Sequence, residues 1–538
     1  MRRVLAIWLD GFDWRLAEEM QLPNLARLRA GSAVAELDSG GSQLTGLTAE
    51  HLATGLDSAA SGRAHCFQFD PTTYTSTQVG SSHPPVFGAV PTVVLDQGWI
   101  DLVRSNPNLF GLSDWGSNDP GFLPMSRPAE LFAEVEQRFG TYPARPWMYG
   151  TPWASSAECA QTARDLVQAV HRRSTIASWL LAERLPDWQL AIVAVSEGHS
   201  AIEAFYHGID PSPRWRSYPT REVAADGLRS VYAAIDQLIG DLVEQFPDDL
   251  HVVFSLHGMG SNFADVPSLL LIGELLARWS GESTPDLAFP VNADGLPLLP
   301  NGVPWGAALH AAFAPPSKPK RLLRQVAYHL PDPALRAVRR IREAISPHRC
   351  ADVPRTDLGW IPLMRHQPHW PAMRAFAVPS LSPMARVRVN VKGREASGYV
   401  DPADYGGVLD ELEALLRACR DPTSGAPLAF ELHRPFDDPM RVGPSDSDLM
   451  IEWREVTLGF THPSLGTIGP VPQRRTGGHV SPVGGCLVHG PGVVAGHLGR
   501  RSSFDVVPTL LDLAGSPAPW PINGHPLPVE FVSAQTTG

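Results

Sequence analysis

Cysteine is scarce in this chain of 538 residues, which carries five: Cys66, Cys159, Cys350, Cys419 and Cys486. They are odd in number and none forms a CxxC pair, which argues against a disulfide framework and against a thiolate metal site. Long apolar runs are missing too, since no window approaches the roughly 18–20 apolar residues that a membrane-spanning helix needs. The opening MRRVLAIWLDGFDW has the basic start of a secretion signal, but its apolar run is only VLAIWL before Asp10, and no small-residue cleavage site follows. It reads as a first buried strand, and a cytoplasmic location is expected. An excess of basic charge is also absent. With 44 Lys and Arg against 56 Asp and Glu, the net charge of -12 disfavours nucleic-acid polymers and anionic membranes as partners. A small anionic substrate is left open. Internal repeats and low-complexity tracts are absent, and the sequence carries no sign of oligomeric state.

Several short apolar runs end in polar or glycine-rich clusters: VLAIWL before Asp10-Gly11, LAIVAV before Ser196-Glu197, HVVFSL before His257-Gly258, and GCLVHG before the glycines near Gly492. Continuous runs of this kind are the pattern of strands buried on both faces in a parallel sheet. Between them lie segments such as AQTARDLVQAVHRRSTIASWLLAERL and DGLRSVYAAIDQLIGDLVEQF, whose apolar residues recur every three or four positions, as on one side of a helix. The expected fold is α/β, a doubly wound, mostly parallel sheet with helices on both faces. Ligands of such a sheet bind beyond the carboxyl ends of its strands, where Asp10, the Glu197–Glu203 cluster and His257 fall. The expected division is a core over 1–273 and 456–538, a Pro/Arg-rich insertion or cap over 274–370, and a small α+β lobe over 371–455. The basic segments KPKRLLRQ and PALRAVRRIREAI of the insertion read as solvated helix faces.

The stretch AVSEGHSAIEAFYHG, residues 194–208, sets His199, Glu203 and His207 four apart, on one side of any helix. Spacing alone leaves two readings, a solvated stripe or a set of metal ligands.

The wider pattern of motifs resembles the alkaline phosphatase superfamily. Its parts are Asp10-Gly11 after the first strand, Thr45 nine residues before Thr54-Gly55, FSLHGMG at 254–260, RTGGH at 475–479 with GPG at 490–492, and FDVVPTLLDLAG at 504–515. The lobe segment RVRVNVKGREASGYVDPADY, with DPTSG at 421–425, is similar to one found in the type I phosphodiesterase/nucleotide pyrophosphatase branch. The resemblance covers roughly 1–275 and 370–530.

The resemblance implies a metal-dependent hydrolase of phosphodiester or phosphomonoester bonds acting on a small-molecule substrate. One or two divalent ions, zinc or else manganese, would flank a Thr nucleophile and stabilise the attacking and leaving oxygens. Carried over, Thr45 is the nucleophile that becomes transiently phosphorylated. Asp10, Thr45 and His257 fall at one metal, and His479 at the other. Thr48 and Asn262 are the substrate-binding candidates. His65 and His489 match no ligand position and read as loop or packed histidines.

Two segments depart from the family pattern. Leu256 stands where an Asp precedes the His, so one metal loses a carboxylate, unless Asn262 or Asp265 completes it. In the best registration of 194–208, His199 stands where Asp is expected and Glu203 where His is expected. Two imidazoles and a carboxylate remain a set that binds zinc or a similar ion with a position left open. A second registration uses Glu203 and His207, and Glu197 is a candidate in either. The alternatives are a phosphoryl-group transferase on the same scaffold and a degenerate, non-catalytic member. Sulfatase chemistry is disfavoured, because no cysteine here has the CxPxR context. For the pocket walls the expectation rests on the loop after Gly62, on LFGLSDWGSNDPGFLPM at 109–125, and on the insertion. There Trp115 and Phe122 are open to stacking on a base or sugar or to packing on the domain.

Overall fold

The computed structural model of the chain describes residues 3–532 except 82, 99, 101, 103–105, 117–123, 145–154, 286, 300–304, 314–354, 357 and 381–382. Both basic segments of the insertion, Cys350 and Phe122 lie outside the described residues.

Three of the four apolar runs pair in parallel as expected, and the fourth, GCLVHG, whose strand is Val483–His489, runs antiparallel to both its neighbours. Val4–Leu9 lies between Leu190–Val195 and Leu250–Ser255, parallel to both, and every residue of these three strands is buried. They form the middle of a nine-stranded sheet. Its order is Gly496–Ser502, Ala33–Asp38, Val483–His489, Leu250–Ser255, Val4–Leu9, Leu190–Val195, Thr92–Leu95, Leu109–Ser113, Met125–Arg127. All neighbouring strands are parallel except that Val483–His489 is antiparallel to both its neighbours and Met125–Arg127 is antiparallel to Leu109–Ser113.

Alternation along a strand sends successive side chains to opposite faces, and both faces of this sheet are covered. Leu5, Ile7 and Leu9 join one apolar cluster with helices Pro23–Ala30, Ser156–Trp179, Glu197–Phe205 and Arg221–Gln245. Val4, Ala6 and Trp8 join the other, with Leu52 and Ala53 of helix Thr48–Thr54 and the helix Val506–Leu513. Helix Ser156–Trp179 starts on a reciprocal cap in which Ser155 and Glu158 satisfy each other's backbone N–H groups. This is the doubly wound α/β fold that the sequence predicts.

The lobe is a four-stranded antiparallel sheet, Ala375–Val378, Met384–Val389, Leu449–Trp453 and Phe430–His433, with helix Tyr405–Ala418 packed on it. The same cluster takes in Ile272, Leu275 and Leu276, so the helix Ile272–Trp279 runs across the expected boundary at 273 and belongs to the lobe's core. Of the described residues, no helix is long and apolar enough to cross a membrane.

Candidate active site

Asp10 is the first residue past strand Val4–Leu9, and its N–H donates to Val195 O at 3.0 Å, which fixes it against the start of the next segment. That segment, Glu197–Phe205, is the helix on which His199 and Glu203 share a face. Gly11 lets the two meet. Its φ of +58° is left-handed, and a Cβ there would lie 2.7 Å from His199 Cγ, so no other residue permits the approach. The strand Gly477–Ser481 then brings His479 over the helix, with Gly477 so close that a Cβ would lie 2.4 Å from Ile202 O.

His199 occupies the centre. Its Nδ1 is 3.0 Å from Asp10 Oδ2 and its Nε2 is 3.1 Å from Glu203 Oε1. The His479 ring stands edge-on to it at 4.5 Å, and the His257 ring lies 4.9 Å beyond His479. One donor atom from each of His199, Glu203 and His479 falls within 4.8 Å of the others. A neutral imidazole has one N–H and one lone pair. With the N–H on Nδ1 directed at Asp10, the lone pair on Nε2 faces a carboxylate oxygen. That arrangement is favourable with a cation between them or with the ring protonated on both nitrogens, and a carboxylate behind a ligating imidazole is the usual way its tautomer is fixed. Glu203 Oε2 is also buried with no hydrogen-bond partner. On both counts the donor set fits a divalent ion.

Burial alone would raise the Asp10 carboxyl, but the charge and hydrogen bond of His199, with His257 nearby, hold it below its ordinary value. Burial pushes His479 well below its ordinary range, reinforced by His199, His257 and Arg475, and lowers His257 as well. Both rings are therefore neutral lone-pair donors at neutral pH. His257 Nδ1 lies 3.0 Å from Gly258 O, so that nitrogen carries the N–H and Nε2 is the free donor.

Thr45 closes the short helical turn Ser42–Leu44, which packs against the strand bearing His479. Its hydroxyl donates to Ser42 O at 2.7 Å and accepts from Leu47 N at 3.1 Å. Ser42 is in turn held through its Oγ, 3.0 Å from His51 Nδ1. Thr48 is half-buried at the first position of helix Thr48–Thr54.

Several sequence candidates are used elsewhere. His207 is packed among Thr220, Thr476, Trp215 and Tyr218, with Nε2 3.0 Å from Thr220 Oγ1, and burial lowers it to about 4. It is not brought to the cluster. Glu197 is not available either, because the Arg173 guanidinium grips it through Nε and Nη2 while Nη1 takes Asp96, all fully buried. Trp115 is buried edge-on to Tyr142, a packing role. His65 is buried, with Nε2 3.2 Å from Ser380 Oγ.

Nor is the missing carboxylate replaced. Leu256 lies buried in an apolar cluster, and Asp265 is held by both Arg474 and Arg475. Asn262 Oδ1 accepts from the N–H groups of Ala264 and Asp265, while its Nδ2 is buried without a partner beside Gly478. The sequence reading missed Arg475, which also pairs with Glu203 Oε1. The signal was the RR immediately before TGGH, a pair of cations placed four and five residues from an expected ligand.

Residues 4–277, half of the chain, match the family described as type I phosphodiesterase/nucleotide pyrophosphatase. The chain belongs to that family. Membership supports hydrolase activity of the phosphodiesterase/pyrophosphatase type. Among solved structures, murine ectonucleotide pyrophosphatase/phosphodiesterase 5 aligns over 97% of both chains at 12% identity with a TM-score of 0.46. Human ectonucleotide pyrophosphatase/phosphodiesterase 5 gives the same values, 97% of both chains, 12% and 0.46. Phosphonoacetate hydrolase from Sinorhizobium meliloti 1021, in complex with phosphonoformate, aligns over 95% of this chain and 96% of its own at 14% identity and TM-score 0.45. No curated protein sequence matches this chain.

Proposed function

We propose that this member of the type I phosphodiesterase/nucleotide pyrophosphatase family is a metal-dependent hydrolase of small phosphate esters with Thr45 as its nucleophile. The observation that carries the reading is the His199, Glu203 and His479 cluster with the partnerless Glu203 Oε2, set beside the turn that ends in Thr45. A bound divalent ion, zinc or manganese, would polarise the phosphoryl oxygens and lower the charge that builds on them. Thr45 Oγ1 forms a bond to phosphorus as the bond to the leaving alcohol breaks, and that alcohol departs with a proton. Water then adds to phosphorus, the P–Oγ1 bond breaks, and the threonine hydroxyl is restored. The Leu47 N–H, 3.1 Å from Oγ1, is a donor that stays in place when the hydroxyl gives up its proton to attack. Asp10 keeps His199 in one tautomer, and the partnerless Nδ2 of Asn262, beside Gly478 on the strand that carries His479, would donate to a phosphoryl oxygen.

The test is bound metal by elemental mass spectrometry, together with turnover of a p-nitrophenyl phosphodiester by chelator-stripped, zinc-reconstituted protein. Thr45→Ala should keep the metal and lose at least about a hundredfold in rate. Glu203→Ala should lose both. Wild-type protein that binds no zinc or manganese would sink the proposal and leave a non-catalytic member of the family.

A further inference from the structure

His251 and His489 are register partners on the adjacent antiparallel strands Leu250–Ser255 and Val483–His489. Their side chains share a face, the one covered by helices Pro23–Ala30 and Arg221–Gln245, because Val253 and Leu487, two residues along, belong to the cluster on that side. Both residues sit at the end of the sheet away from Asp10 and His257, where Leu250–Ser255 begins.

A neutral imidazole offers one N–H and one lone pair. In His251 both ring nitrogens are buried and neither has a partner. Buried polar atoms are almost always satisfied, so a ring with both nitrogens orphaned points to a partner of another kind. His489 Nδ1 lies 3.1 Å from Gly31 O, which places the N–H there and leaves Nε2 as a donor of electrons. His489 also lines a cavity of about 140 Å³ between the two helices. The cation at its rim, Arg27, is turned to Asn24 and Glu244.

The ring centres are 6.4 Å apart. An ion held at roughly 2.0–2.1 Å by a ring nitrogen lies about 3.2 Å from the ring centre, so 6.4 Å is the span of two imidazoles on opposite sides of one ion. Opposed nitrogen donors suit the tetragonal geometry of Cu²⁺ or Ni²⁺, and the tetrahedral geometry of zinc would need the rings about 1 Å closer. Among the described residues, the adjacent carboxylate Asp249 is taken by a two-pronged bond from Arg3 at 3.0 and 2.7 Å.

We infer that His251 and His489 form a second, two-histidine metal site at the end of the sheet opposite the proposed active site, selective for a tetragonal ion of the copper or nickel kind. The inference stands apart from the proposed function.

The test is titration with Cu²⁺ and with Zn²⁺ of full-length protein carrying Glu203→Ala and His479→Ala, followed by electron paramagnetic resonance of the Cu²⁺ form. The expected result is one Cu²⁺ per chain, bound at least tenfold tighter than Zn²⁺, with hyperfine splitting from two imidazole nitrogens. His489→Asn and His251→Asn should each reduce the affinity tenfold or more. His489→Asn in an otherwise wild-type chain should leave ester hydrolysis unchanged. If His251→Asn does not fold, His489→Asn at the strand's end still decides. Unchanged Cu²⁺ affinity and splitting in His489→Asn, Zn²⁺ bound as tightly as Cu²⁺, or no stoichiometric Cu²⁺ binding in the parent protein would each overturn the site.

Discussion

Gly11 and His199 are in contact along the whole base of the imidazole: a methyl group on Gly11 would lie 2.7 Å from His199 Cγ and 2.8 Å from its Cβ. Gly11→Ala therefore has to displace the ring or the backbone, and it also places a side chain at φ +58°. The expected cost is about 1–3 kcal/mol from the left-handed backbone alone. Metal affinity should fall at least tenfold, because His199 leaves the bond to Asp10. Urea denaturation and zinc titration check the two effects separately. A variant with wild-type zinc affinity would show that Gly11 does not set the His199 position.

Leu256→Asp restores a carboxylate beside His257. In metal-free protein it should destabilise by at least about 3 kcal/mol, since an apolar side chain leaves its cluster and a charge is buried in its place. Saturating zinc should recover part of that loss and raise the bound metal by one ion per chain over wild type. Elemental analysis and thermal melts with and without zinc read this directly.

Arg173→Met leaves Asp96 and Glu197 buried without their cation. Loss of one partner from such a group typically costs about 3–5 kcal/mol. The chemical-denaturation midpoint should fall accordingly. Because Glu197 begins the helix that carries His199, zinc affinity should fall along with it.

Acid should destabilise the fold through two histidines outside the site. Burial lowers both His51 and His207 to about 4 from the ordinary 6.5. Between those values the unfolded chain binds protons that the folded chain refuses. Stability is therefore fully present above pH 6.5 and is lost as pH falls towards 4, by on the order of 1–3 kcal/mol for each ring. Urea denaturation at pH 7.5 and 5.0 measures the loss, and His207→Gln should flatten the slope over that range. A variant as pH-sensitive as wild type would remove His207 from this account.

What was legible in the sequence is what depends on neighbours along the chain. VLAIWL and LAIVAV are strands because each is apolar throughout and bounded by turn residues, and LHVVFS keeps an apolar centre, VVF, between His251 and Ser255. His199 and Glu203 share a face because they are four apart on a helix. The rest depends on contacts distant in sequence. Spacing cannot show that Asp265 is already held by Arg474 and Arg475, or that Arg475 reaches Glu203. Nor does it separate Glu197 or His207 from true cluster members, since each has the right chemistry and is removed by a partner on another element. His251 and His489 meet only through strand register, and each alone has the look of a packed histidine.

The strand Val483–His489 lies inside the sheet, between Ala33–Asp38 and Leu250–Ser255, and not at its edge. Ala33–Asp38, made early, therefore has no route into the sheet until one of the last strands has left the ribosome. From the time Leu250–Ser255 is made until Val483–His489 follows, the nascent chain presents the open flank of that strand, a template for pairing with other chains. The same insertion delivers His479, four residues before that strand, so closure of the sheet and completion of the ligand set are one late event. An unfinished chain is thus both prone to association and unable to assemble the cluster around His199.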